Sequence, residues 1–317
     1  MKPTCVNSYR TIPPIPHSHL ISSSTMISTL INDHLCVEIS ALGAEIQSIQ
    51  DRHTGQECIW QGNARWWAGR SPLLFPIVGS LWNGVCRIEG KEIHLPKHGF
   101  LRRREWETKR FGVDFVRYEA SHTEEDLAIF PFPFTVAITY RLKDRELLAE
   151  MEVTNTGTDK LWFQMGGHPA IQLPNWDETR EVNGYLQLEG ELQHIGRAGE
   201  QGCLEPEQHA VPTDEQGRIE LKVDNFIHDA LIFDAEQVKA ANVLDANGKR
   251  VARIESSAPV WLFWAPAGKN CPFICCEPWY GLCDHQGFEG PVSERPFIQQ
   301  AEPGETWKGY FKIEVEA

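Results

Sequence analysis

The sequence predicts an all-β protein in which antiparallel strands form a sandwich. Apolar and polar residues alternate with a period of two along many short segments, and residues typical of tight turns separate these segments. No stretch of ten or more residues has the apolar spacing of an amphipathic helix, apart from a weak candidate between residues 124 and 130. Many short strands joined by hairpins favour a β-sandwich.

The clearest strand segments lie in the middle and at the end of the chain. Residues 134–142 and 147–153 place apolar side chains at every second position, with Thr, Arg or Glu between most of them. Phe311, Ile313 and Val315 follow the same pattern. Such alternation is typical of antiparallel strands that have one face in the core and the other in water.

Short turn motifs lie between the apolar segments. Asn-Gly at residues 83–84 and 247–248 supplies the positive φ angles that a tight hairpin requires. Glu89-Gly90 and Pro303-Gly304 occupy similar positions between apolar runs. These motifs predict that neighbouring segments pair as hairpins.

The chain of 317 residues is long enough for one large domain or two smaller ones. No Pro/Ser-rich linker and no internal repeat interrupts residues 26–317, so we expect a single domain there. Residues 1–25 are rich in Pro and Ser and lack the apolar centre of a secretory signal. We expect them to be a disordered extension, or Met26 to be the true start.

Composition excludes several classes of partner. Lys and Arg number 30 against 44 Asp and Glu, which gives a formal charge of -14 and argues against nucleic-acid and membrane surfaces. No apolar run reaches the ~18 residues that a membrane span requires. The basic run Arg102-Arg103-Arg104 is interpreted as a solvated edge, although a phosphorylated substrate stays open.

Cysteine content predicts a cytoplasmic protein without a metal. Nine cysteines are an odd number, which excludes a complete disulfide framework and favours a reducing compartment. Four of them cluster near the C-terminal end, but their spacing fits no paired-ligand motif, and buried cysteine is common in protein cores. The clustered cysteines are Cys271, Cys275, Cys276 and Cys283.

The main candidate for chemistry is Glu277, in the segment Pro272–Gly281. We expect it at the end of a buried strand, half sheltered, because Pro278 cannot donate to a sheet ladder. Shelter raises the pKa of a carboxyl group toward neutrality, where it can accept and return protons. Trp279 offers a flat apolar face that suits either packing or the CH face of a sugar.

Three further residues stand in segments with a constrained backbone. His168 follows a glycine pair and precedes Pro169, which favours an extended backbone and a fixed direction for the imidazole. His98 is held between Pro96-Lys97 and a glycine. Asp229 opens an apolar strand, where a turn residue is the alternative interpretation.

The ordered set of these motifs resembles the aldose 1-epimerase (galactose mutarotase) family, in its bacterial mutarotase-like branch. The resemblance covers nearly all of the chain from about Met26. The motifs are Ser71–Gly79, Pro96–Phe100, Asn155-Thr156-Gly157, Gly166–Pro169, Glu277–Gly281 and Pro303-Gly304-Glu305.

The resemblance implies a large antiparallel β-supersandwich with an open sugar cleft and no metal or organic cofactor. It also implies that Glu277 is the general base, His168 the general acid, His98 a second imidazole at the ring oxygen, and Asp229 a ligand of sugar hydroxyls. A small sugar is the expected partner, and we expect a monomer or homodimer.

One departure from the family pattern concerns an arginine. Family members commonly carry Arg after the glycine that ends the Phe-Pro segment, whereas this chain continues Gly79-Ser80-Leu81. We expect Arg70, just upstream, to take its place.

Four functions are therefore compared. The main hypothesis is an aldose 1-epimerase that acts on a free hexose by acid and base catalysis. The alternatives are a hexose-6-phosphate 1-epimerase, a carbohydrate-binding or sensing protein on the same fold, and a glycoside hydrolase. The last would need two carboxyl groups that flank one bond, roughly 5–10 Å apart.

Overall fold

The computed structural model describes residues 26–316, and these residues are predominantly β-strand. The predicted all-β class is confirmed. The expected extension of residues 1–25 lies outside the described residues. In chain order the elements are β1 (Ile27–Ile31), β2 (Leu35–Ser40), β3 (Glu45–Asp51), β4 (Leu73–Leu74), β5 (Val85–Ile88), β6 (Lys91–His94), β7 (Glu107–Phe111), β8 (Phe115–Ser121), α1 (Glu124–Ile129), β9 (Phe134–Lys143), β10 (Glu146–Asn155), β11 (Leu161–Phe163), β12 (Met165–Gly167), β13 (Ala170–Gln172), β14 (Gly184–Gly190), β15 (Ile219–Glu220), β16 (Leu231–Phe233), β17 (Val238–Asp245), β18 (Arg250–Ser256), β19 (Val260–Trp264), β20 (Phe273–Tyr280), β21 (Gln299–Ala301) and β22 (Thr306–Val315).

Two large antiparallel sheets form the body of the fold. The larger has nine strands in the order β15-β14-β17-β18-β22-β10-β9-β8-β7. The smaller has the order β16-β19-β20-β12-β4, and β13 also pairs with β20. Phe311 on β22 lies against Gly167 on β12, and the rings of Phe75 and Phe134 are 4.9 Å apart. The inner faces of the two sheets therefore share one apolar core, which makes the fold a large sandwich.

Local sequence signals predicted several of these elements. Strands β9 and β10 cover the two alternating segments in the middle of the chain and pair with Leu142 opposite Leu147. Glu89-Gly90 joins β5 to β6, and Asn247-Gly248 joins β17 to β18. The weak helix candidate is α1, which begins after a Thr123 capping box. It is six residues long, and no helix within residues 26–316 is long and apolar enough to cross a membrane.

The predicted strand end at Glu277 is wrong. Strand β20 continues through Pro278 to Tyr280, so Glu277 lies inside the strand. The reason is that the neighbouring strand is divided into β12 and β13, which pair with different parts of β20. The backbone N–H that Pro278 lacks falls where this pairing is interrupted, and the strand continues without loss of a ladder bond.

Candidate active site

A pocket with a volume of about 290 Å³ lies over β20, the central strand of the smaller sheet. Five of the six residues that the sequence predicted as site residues line this pocket: Glu277, His168, His98, Asp229 and Trp279. They come from separate regions of the chain. The fold therefore brings the catalytic and most of the binding candidates into one place.

His168, in the short break between β12 and β13, faces Glu277 on β20. Gly166 pairs with Trp279 and Ala170 pairs with Cys275, so the same antiparallel register places His168 opposite Glu277. Their Nε2 and Oε2 atoms are 3.2 Å apart, although their orientation is not that of a hydrogen bond. Sheet geometry thus fixes the distance between the two groups, since directly opposed side chains are close neighbours.

Burial controls the protonation of this pair. Glu277 is 2% exposed, rather than half sheltered as predicted, and His168 is 7% exposed. Burial raises the pKa of Glu277 well above its ordinary value, and it lowers the pKa of His168 to about 3. Both side chains therefore favour their neutral forms near pH 7, and the carboxyl group holds the proton of the pair.

His98 is a neutral hydrogen-bond donor in the same pocket. The backbone N–H of Gly79 donates to its Nδ1 at 3.1 Å, so the ring hydrogen lies on Nε2. Burial, with a smaller contribution from His168, lowers the pKa of His98 well below its ordinary value. Its ring centroid is 5.6 Å from that of His168 and 5.5 Å from that of Trp279.

Two tryptophans that were not predicted complete the aromatic wall. The ring of Trp67 stacks on His168, with centroids 5.0 Å apart and planes 22° apart. Trp264 donates a hydrogen bond from its Nε1 to the carboxylate of Asp229. Trp67 thus fixes the imidazole plane, and Trp264 fixes the carboxylate that we expect to bind sugar hydroxyls.

The prediction for Arg70 is wrong. Its side chain donates to the carbonyl oxygen of Gln47 at 2.8 Å, on β3, and it does not line the pocket. The cations that do line the pocket are Lys97 and Arg102. Arg102 and Arg104 are half-buried and only Arg103 is exposed, so the interpretation of residues 102–104 as a solvated edge is wrong for two of its three members.

Two of the four pocket residues that the sequence analysis missed could have been suspected from the sequence. Lys97 lies beside His98, and Arg102 follows four residues later in the same constrained segment. Proximity to a candidate histidine could have drawn attention to both. Trp67 and Trp264 had no comparable signal, because their positions depend on contacts with distant parts of the chain.

Several buried polar atoms of the pocket lack a hydrogen-bond partner within residues 26–316. They are Nδ1 of His168, Oε2 of Glu277, Nε1 of Trp279 and Nε of Arg102. Buried polar groups in native proteins are nearly always paired. Four of the nine such unpaired atoms in the described residues belong to this pocket, where a polar ligand could supply the partners.

Three residues of the described chain could offer ligands to a metal ion. The candidate atoms of His168, Cys275 and Glu277 lie within 4.8 Å of one another. Burial raises the pKa of the Cys275 thiol well above its ordinary value, and Glu277 also favours its protonated form. A cation would have to displace both protons, so this group suits proton transfer better than metal binding.

Comparison with known proteins gives the class of the protein. The model of the aldose 1-epimerase family matches residues 26–314. The chain therefore belongs to the aldose 1-epimerase family, and the resemblance seen in the sequence motifs is confirmed.

Individual relatives cover almost the whole chain. The chromosomal protein LacX of Lactococcus lactis subsp. lactis is 26% identical over 299 residues, which are 92% of this chain and 99% of the relative. A galactose mutarotase related enzyme from Lactobacillus acidophilus has a TM-score of 0.83 at 26% identity and covers 92% of this chain and 98% of its own. A galactose mutarotase-like protein from Lactobacillus casei has a TM-score of 0.85 at 25% identity, with coverages of 92% and 100%. These similarities confirm the galactose mutarotase-like fold.

Proposed function

We propose that this protein is an aldose 1-epimerase that interconverts the α and β anomers of a monosaccharide. The observation that carries the proposal is the buried pair of Glu277 and His168, whose Oε2 and Nε2 atoms are 3.2 Å apart in the pocket. A pocket of about 290 Å³ is near the lower limit of small-molecule sites, roughly 300–1,000 Å³. This size favours a single sugar ring.

The reaction requires one base and one acid. Glu277 removes the proton from the anomeric hydroxyl, His168 gives a proton to the ring oxygen, and the bond between C1 and the ring oxygen breaks. The resulting aldehyde turns about its C1–C2 bond and closes on the other face, and the two protons return. No net proton is gained or lost.

The proton of the pair must move before the ring opens. Burial favours a protonated Glu277 and a neutral His168, whereas the roles proposed here need the carboxylate and the imidazolium. Sugar hydroxyls that donate to Glu277 and accept from His168 stabilise the charged forms. Substrate binding therefore drives one proton transfer between two atoms that are already close.

The remaining pocket residues hold the sugar in this proposal. His98 donates from Nε2, and the carboxylate of Asp229, fixed by Trp264, accepts from hydroxyl groups. Trp279 covers the ring with an apolar face. Such positioning adds to the acid and base contributions. A cytoplasmic location is part of the proposal and is supported by the eight cysteines of the described chain, all free thiols.

Polarimetry on freshly dissolved α-galactose and α-glucose tests the proposal. We expect the protein to accelerate the approach to anomeric equilibrium, and we expect Glu277→Gln to lower the rate by about 10²–10⁴-fold. Glu207→Gln is the matched control, because Glu207 is exposed and lies outside the pocket. Sugar binding without acceleration by the parent protein would identify a binding or sensing protein instead.

A further inference from the structure

Two cations of the pocket have no acidic partner. Neither Lys97 nor Arg102 forms an ion pair with any residue of the part of the chain that the structure describes, although acidic residues outnumber basic ones. Nearby Arg104 behaves differently, since it pairs with Asp126. Lys97 is exposed and Arg102 is half-buried, and both line the pocket, where an anionic ligand can reach them.

Both cations have access to the pocket. Gly202 and Lys97 both line the pocket. A Cβ atom built on Gly202 would lie 4.0 Å from Nζ of Lys97. Arg102 donates from Nη2 to the carbonyl oxygen of Lys97 at 3.0 Å, while its Nε is buried without a partner in the described chain. The guanidinium is therefore anchored at one nitrogen and lacks a partner at another within the described chain.

The acidic residues of the pocket do not neutralise these cations. The carboxylate of Asp229 accepts a hydrogen bond from Trp264, and the burial of Glu277 favours its uncharged form. The histidines His98 and His168 are neutral as well, and the charges of Lys97 and Arg102 contribute to their lowered pKa values. Two positive charges against one negative charge leave the pocket locally positive.

We propose that the substrate is an anionic monosaccharide, a sugar phosphate or a sugar carboxylate, whose charged group binds to Lys97 and Arg102. This inference rests on the proposed epimerase function and adds the substrate class. An arginine fork with free N–H groups binds a carboxylate or phosphate oxygen pair well, and an adjacent ammonium group adds charge. The sugar ring then lies against Glu277 and His168.

The test compares glucose, glucose 6-phosphate and glucuronate under identical conditions. Exchange NMR at anomeric equilibrium measures each rate without pure anomers, and the spontaneous rate of each sugar is subtracted. We expect kcat/KM for one of the two anionic sugars to exceed that for glucose by about 10- to 100-fold. The preferred anion distinguishes a phosphate site from a carboxylate site.

Variants of the two cations test whether Lys97 and Arg102 cause the preference for an anionic sugar over glucose. We expect Arg102→Gln and Lys97→Gln each to lower the ratio of anionic to neutral kcat/KM by about tenfold or more. Arg103→Gln is the matched control, because Arg103 is exposed and does not line the pocket. Equal turnover of all three sugars, or an unchanged ratio in both variants, would overturn the proposal.

A binding measurement separates this proposal from the epimerase function. Calorimetry with the Glu277→Gln variant compares the affinities for glucose 6-phosphate, glucuronate and glucose without turnover. Tighter binding of an anionic sugar, lost on adding Arg102→Gln, supports the anion site even if the parent protein turns over no sugar. Turnover of glucose combined with no anion preference rejects the anion site alone.

Discussion

At the scale of single residues, the central feature is the removal of Glu277 and His168 from water. Burial opposes the charged form of each side chain, so it raises the pKa of the carboxyl group and lowers that of the imidazole. The resulting neutral pair has a cost for folding near neutral pH, because the unfolded chain carries an ionised Glu277 there. Catalytic groups with perturbed pKa values commonly have such a cost.

This cost gives a prediction for Glu277→Gln. The pKa of Glu277 is higher in the folded state than in the unfolded state, so its favourable contribution is present at acid pH and is lost as pH rises. Gln has no such dependence. We therefore expect the stability of the variant, relative to the parent, to increase between pH 5 and pH 8, by about 1.4 kcal/mol for each unit of pKa difference that lies in this range.

Thermal and urea unfolding followed by circular dichroism at the two pH values measure this difference. The control Glu207→Gln should show no such trend, because Glu207 is exposed. A Glu277→Gln variant that loses relative stability as pH rises would contradict the assigned direction of the pKa shift.

The types of the site residues were predictable from sequence, whereas the direction of some side chains was not. His168 and His98 lie in segments where Pro and Gly restrict the backbone, and such restrictions are local. Arg70 does not line the pocket, and the carbonyl oxygen of Gln47, on another strand, accepts a hydrogen bond from its side chain. That contact depends on tertiary structure and left no pattern in the neighbouring sequence.

At the scale of elements, the segment between β6 and β7 places His98, Lys97 and Arg102 in the pocket. Its tight turn depends on Gly99, which has a φ of +68° and lies against the backbone of Phe75. A Cβ atom at Gly99 would be 1.9 Å from the Phe75 carbonyl oxygen, which also accepts a hydrogen bond from Phe100. No small movement relieves such a contact, because both partners are backbone.

We therefore expect Gly99→Ala to be severely destabilising and to disrupt sugar binding. Gly90→Ala is a matched control, because Gly90 has a φ of +76° but no atom within 4 Å of its added Cβ. The control should cost about 1–2 kcal/mol for backbone strain. Gly99→Ala should cost at least about 4 kcal/mol or prevent folding. Urea unfolding and calorimetric sugar binding measure both effects, and equal costs would contradict the packing described here.

Hairpins and the short helix were predictable because their signals are local. The alternation along β9 and β10 and the Gly-containing turns define neighbours that are adjacent in sequence. The continuation of β20 through Pro278 was not predictable, since it depends on a break between β12 and β13 more than a hundred residues earlier in the chain. The register that β12 and β13 share along β20 places His168 opposite Glu277.

At the scale of the whole molecule, net charge and local charge give different answers about the ligand. The formal charge of -14 argued against nucleic-acid and membrane surfaces, yet the pocket itself is lined by two cations, Lys97 and Arg102, that form no ion pair within residues 26–316. Screening limits the effect of distant surface charges to about 10 Å at 0.1 M salt, so the local groups dominate inside a pocket.

The fold class was predictable from periodicity, but the order of strands in the two sheets was not, because pairing joins distant segments.

The most direct measurement of the central claim is a double-mutant cycle on Glu277 and His168, with exchange NMR on the most rapidly converted sugar. If the two side chains act as one acid–base unit, Glu277→Gln and His168→Gln each lower the catalysed rate by about 10²–10⁴-fold, and the double variant loses little more than either single variant. Near-parental rates in either single variant, or losses that multiply in the double variant, would contradict the account.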